Sequence, residues 1–122
     1  LTRIRSVIPV EKIDTIIVNH IEPDHSQALP AVVKLCPNAK LYGTARAGQG
    51  LERYYQQKFN FNVIKTGDKL KLGKRTLSFL EIPMIHWPDS MMSYLSEDQI
   101  LFSNDAFGQH YATSERFADE VP

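Results

Sequence analysis

His20, Glu22, Asp24 and His25 fall within the stretch VNHIEPDHSQALP (18–30). Ionisable groups this close repel or fail to charge unless a counter-ion gathers them. A solvated acidic turn, a catalytic acid–base cluster or a set of metal ligands could each account for them. In extended chain, alternate side chains share a face, so His20, Glu22 and Asp24 are expected on one side and Ile21 and Pro23 on the other. Pro23 has no N–H and keeps Glu22 out of helical dihedrals. Ser26 is expected to cap the next helix, which leaves His25 at the corner between strand and helix. Divalent cations would turn the repulsion into attraction. Imidazole mixed with carboxylate suits iron, manganese or zinc, and paired metals sit about 3.5–4 Å apart with a shared ligand, commonly a carboxylate.

Further ligand-type residues stand at the ends of other apolar runs, where α/β proteins place functional groups. His86 lies in IPMIHWPDS, just past the run TLSFLEI, and Asp105 closes the run ILFSN in FSNDAFG. His110, in FGQHYA, lies past that turn and reads more readily as an ordinary loop residue than as part of a pocket. Asp89, in HWPDS, either orients His86 through its second ring nitrogen, as metal-bound histidines require, or is an exposed turn carboxylate.

Elements must bring these positions together. The β-branched run IDTIIVN (13–19) predicts a buried strand, SQALPAVVKLC (26–36) a helix with Pro30 in its first turn, and KLYGT (40–44) a short strand. ARAGQGLERYYQQKF (45–59) reads as a helix and FNVIKT (61–66) as a strand. KLKLGKRTLSFLEI predicts a hairpin around Gly73-Lys74, and MMSYLS with ILFSN a second hairpin across EDQ. TSERFADE (113–120) is expected to be helical. Strands and helices alternate first and strands dominate later, which gives an α/β layered class.

Composition narrows the function. Fourteen basic and fourteen acidic residues cancel, and no basic run offers the footprint of a nucleic-acid binder. No apolar stretch reaches the length of a membrane span or a signal-peptide core. The lone Cys36 cannot form an internal disulfide, so it is expected to be a core residue in a reducing compartment, the cytoplasm by default. GTARAGQGLE (43–52) lacks the Lys-Ser/Thr of a phosphate loop and the third glycine of a dinucleotide fingerprint. Close packing of helix on strand is the better reading of its glycines. The chain opens on what looks like the last turns of a helix, so a piece of a larger protein is expected.

NHIEPDHS, HWPDSM and LFSNDAFGQHYATSERFADE together resemble the metallo-β-lactamase-like domain of flavodiiron proteins, also called A-type flavoproteins or rubredoxin:oxygen oxidoreductases. The resemblance runs from about Ile13 to the end of the chain. It implies part of an αβ/βα sandwich and a non-haem di-iron centre that reduces dioxygen to water, nitric oxide to nitrous oxide, or both. By position, His20, Glu22 and His86 would bind one iron, Asp24 and His25 the other, and Asp105 would bridge them. Electrons would come from flavin mononucleotide (FMN), with Trp87 lying against the flavin, although a plain buried aromatic explains Trp87 equally well. Hydrolases of the same fold usually carry His at the position of Glu22, and the hard, anionic oxygen there favours iron. A binuclear zinc metallohydrolase is the alternative, and a non-catalytic folding or interaction module is a third.

The resemblance also implies a later histidine ligand beyond Pro122, early strands ahead of this segment and a flavodoxin-like domain after it. The 122 residues alone are therefore expected to be one incomplete domain, inactive and weak in metal binding, with exposed sheet edges. A rubredoxin-like electron donor and a head-to-tail homodimer are implied for the whole protein.

Overall fold

A computed structural model describes residues 1–108, 112–115 and 117–121 of the protein. The expectation for His110 lies outside the described residues. Helix α1 (Thr2–Arg5) and a short 3-10 turn (Val10–Lys12) lead into strand β1 (Thr15–Val18). Helices α2 (Pro23–Ser26) and α3 (Leu29–Leu35) follow, then β2 (Lys40–Gly43), α4 (Ala45–Tyr55) and β3 (Phe61–Val63). The remaining strands are β4 (Lys69–Leu72), β5 (Arg75–Glu81), β6 (Met91–Leu95) and β7 (Ile100–Phe102), and 3-10 turns cover Asn104–Phe107 and Ala118–Glu120.

These strands form two sheets. The first is parallel, in the order β1-β2-β3, with Ile16 opposite Leu41 and Leu41 opposite Phe61. The second is an antiparallel meander, β4-β5-β6-β7. Alternation along β1 and β2 explains how they stack. Ile16, Val18 and Leu41 point to the helices and pack with Ile21, Leu29, Ala47, Leu51 and Phe59. Ile17 and Tyr42 point the other way, onto Ile64, Leu77, Phe79 and Met91 of the second core. The first sheet is thus covered on both faces, as parallel sheets require. The result is helices, sheet and sheet in three layers.

The glycines of the 43–52 segment serve this packing, as expected. A Cβ on Gly43 would stand 2.7 Å from Phe61 Cζ and 2.9 Å from the Val18 carbonyl oxygen. One on Gly50 would stand 2.2 Å from Ile21 Cδ1. Helix α4 starts on Thr44, whose Oγ1 accepts from the Ala47 amide at 3.1 Å. It ends at Tyr55, four positions short of the expected end at 59, and is closed by Gln56 in left-handed dihedrals. Cys36 is buried, and its thiol donates to the Val10 carbonyl at 3.1 Å.

Other expectations need correction. The helix expected over 26–36 is shorter, Leu29–Leu35, and a separate helical turn, Pro23–Ser26, precedes it where extended chain was expected, because Pro23 supplies an N1 residue with the right φ. Ser26 does not cap α3. Its hydroxyl donates to the Ile21 carbonyl at 2.6 Å, and the N-cap of α3 is Ala28 with no side-chain bond. Of the helix expected over 113–120, the described residues form only the 3-10 turn Ala118–Glu120. No helix among the described residues is long and apolar enough to cross a membrane.

Candidate metal centre

The chain leaves β1 with a bend at Asn19, and Glu22 keeps φ −50° and ψ 141° because proline follows it. It then turns at once into α2, whose first bonds run from the His25 and Ser26 amides to the Glu22 carbonyl, both 2.9 Å. Asp24 and His25 therefore project from a helical turn. This corrects the extended alternation expected for His20, Glu22 and Asp24, which holds only to Glu22.

His86 comes from the loop between β5 and β6. Its φ is +82° and that of Met84 is +64°, left-handed values that cost roughly 1–2 kcal/mol each for residues with a side chain. Amide bonds from Met84 to the Trp87 carbonyl (2.9 Å) and from Ile85 to the Ile82 carbonyl (3.1 Å) hold the loop in this shape. Asp105 does not end a strand as expected. Strand β7 stops at Phe102, and Asp105 sits in the 3-10 turn beyond it.

All six candidate ligands nevertheless converge. His20 Nε2 lies 3.2 Å from Glu22 Oε2 and 3.6 Å from Asp105 Oδ2. His86 Nε2 lies 3.0 Å from the same Glu22 oxygen and 3.7 Å from the same Asp105 oxygen. One ligand atom from each of His20, Glu22, His86 and Asp105 fits within a span of 4.8 Å. His25 Nε2 is 3.0 Å from the same Asp105 oxygen and 3.4 Å from Asp24 Oδ2. Asp105 Oδ2 is thus the atom that faces all three imidazoles. Side-chain hydrogen bonds from His86, then His20, hold the Glu22 carboxyl below its ordinary range.

Burial grades across the cluster. The His20 side chain is 1% exposed, His25 33%, Asp105 34% and Asp24 70%. The cluster is therefore anchored in the protein at His20 and open at Asp24. Asp89 neither orients His86 nor faces solvent: its buried Oδ2 accepts from His20 Nδ1 at 3.0 Å and from the Ile21 amide at 2.9 Å. Trp87 is half-buried and presents its ring to His20, with centroids 5.3 Å apart and planes at 77°.

A family model described as "ODP family beta lactamase" matches residues 1–121. The chain belongs to that family. A nitric oxide reductase of Moorella thermoacetica is 47% identical over 99% of this chain and 31% of its own length. The rubredoxin-oxygen oxidoreductase of Megalodesulfovibrio gigas is 43% identical over 100% of this chain and 31% of its own. Among solved structures, the flavodiiron protein of Giardia intestinalis superposes with a TM-score of 0.88 at 43% identity, over 98% of this chain and 30% of that one. The ODP-family chain thus spans about a third of the length of the relatives it matches, and its fold is the metallo-β-lactamase-like fold of flavodiiron cores.

Proposed function

We propose that this chain is the central portion of a flavodiiron protein's di-iron domain, which reduces dioxygen or nitric oxide with electrons from FMN held on another domain. The observation that carries the reading is Asp105 Oδ2, which lies within 3.7 Å of the Nε2 atoms of His20, His25 and His86. A single carboxylate between two nitrogen-and-oxygen donor groups is what a pair of cations needs. The donor chemistry fits iron: His20, Glu22 and His86 would hold one ion, Asp24 and His25 the second, and Asp105 both. When bound, the di-iron pair supplies a redox centre that binds the diatomic substrate and passes electrons to it.

The chain's own residues prepare that chemistry. Glu22 adds an anionic oxygen where hydrolases of this fold carry imidazole, which favours a harder metal over a zinc-bound hydroxide. The exposed edge at Asp24 and His86 leaves approach open, while buried His20 fixes the inner wall. We read Trp87, whose ring lies against His20, as the flavin-facing residue. The relatives' names support a rubredoxin-type donor. The head-to-tail homodimer and the cytoplasmic location complete the reading, and the latter accords with a buried, unpaired Cys36.

The test is metal analysis and gas consumption on the full-length protein. Iron at two per chain, with reduction of dioxygen or nitric oxide by reduced FMN, is expected. Zinc in its place, with thioester or phosphodiester hydrolysis, would overturn the proposal.

A further inference from the structure

We propose that Asp89 is a positioning residue for the metal centre: it holds His20 in the tautomer whose Nε2 faces the cation, and makes the His20 side the tighter of two metal positions. The inference rests on the di-iron reading above. Asp89 is 2% exposed. The Thr44 hydroxyl donates to its carbonyl at 2.9 Å, and its Oδ2 takes both the His20 Nδ1–H and the Ile21 N–H. A carboxylate accepts hydrogen bonds only, so the proton of the His20 ring is set on Nδ1 and the lone pair on Nε2. Nε2 is the atom that faces Glu22 and Asp105.

A purely structural task does not explain the choice of aspartate. Asparagine offers the Ile21 amide the same acceptor without burying a charge. Asp89 Oδ1 is buried and has no partner among the described residues, a further cost. What the carboxylate adds is negative charge behind the imidazole, which makes Nε2 a stronger donor to a cation. Among the described residues, neither His25 nor His86 has such a bond to its Nδ1; their contacts run through Nε2. Asp24 is the most exposed of the six, but His86 on the His20 side is 44% exposed against 33% for His25, so what separates the two positions is the support behind the imidazole.

Two measurements on the full-length protein test this. In the zinc-loaded, diamagnetic protein labelled with 15N-histidine, NMR is expected to show His20 protonated at Nδ1 and metal-bound at Nε2. Metal on Nδ1 would overturn the inference with no variant needed. Asp89→Asn should melt, without metal, within a few degrees of the parent. It should nevertheless release one iron to a chelator about 10–100-fold faster, with the Mössbauer doublet of that iron altered and the other unchanged. Parent-like retention of both irons in Asp89→Asn would sink the inference and leave the di-iron reading standing. A parent protein that takes up no iron would remove both.

Discussion

Asp105 carries more of the site than any neighbour, because one of its oxygens is within 3.7 Å of all three imidazole Nε2 atoms. Truncation to alanine removes a donor from both cation positions at once. Asp105→Ala in the full-length protein is expected to lose about half or more of its iron, whereas Asp24→Ala, at the exposed margin, should lose mainly one ion. Iron analysis after a fixed chelator challenge compares them, and equal retention would refute the shared role. The contrast between these residues also marks what sequence could show. His20, Glu22, Asp24 and His25 were legible because six consecutive positions stay close however the chain bends. His86 and Asp105 were legible only as ligand types at strand exits. Asp89 was not, because its partner lies 69 positions away and nothing in HWPDS tells which imidazole it meets.

Among the elements, α4 and β2 set the platform under the ligand loop. Gly43 has a backbone oxygen in its way at 2.9 Å, which cannot rotate aside, while Gly50 meets only the end of the Ile21 side chain. Gly43→Ala is expected to cost about 1–3 kcal/mol and Gly50→Ala less, despite its shorter contact. Denaturant melts of the two variants would check the order, and the reverse order would refute it. The second sheet has its own clasp. Arg75, opening β5, donates from Nη2 to Asp98 in the β6–β7 turn at 3.0 Å. Its guanidinium holds the Asp98 carboxyl below the ordinary range. A lowered folded-state value means stabilisation that is complete above the ordinary aspartate pKa of about 3.9 and fades as pH falls through the lowered one. Asp98→Asn should therefore flatten the loss of thermal stability between about pH 5 and about pH 2, and added salt should shrink the difference because the pair is solvent-exposed. An unchanged acid limb would show that the pair contributes nothing. Strand and hairpin periodicity made these elements readable, and Gly73 fixed the first turn with φ +63°. The early helical turn Pro23–Ser26 was not readable, because apolar spacing cannot show that Pro23 starts a turn ahead of the helix at Leu29.

Among the described residues, β1 and β3 are the edge strands of the parallel sheet and β4 and β7 those of the meander. Strand β1 ends the parallel sheet, beside a groove of about 390 Å³ whose lining includes Ile4, Ile16, Leu29 and Val32. Strand β7 ends the other, with Ile100, Leu101 and Phe102 each 45–48% exposed. Apolar edges of this kind pair with other chains. The 122-residue chain on its own is expected to self-associate as concentration rises toward about 100 µM, and Leu101→Lys should reduce this. Light scattering reads the outcome, and a monomer throughout would contradict it. The layered α/β class was visible in the alternation of elements. That the second sheet lies directly on the first was not, since it depends on Ile17 and Tyr42 facing away from the helices.

The Met91 amide reaches the Asn19 carbonyl at 2.9 Å, one residue before His20, and stitches the two sheets where the donors gather. The first four donors leave the parallel sheet, and the last two leave the meander. An ion seated between them would act as a rivet across that seam, so the two halves of the chain would come apart as a single unit when it is filled and in separate steps when it is not.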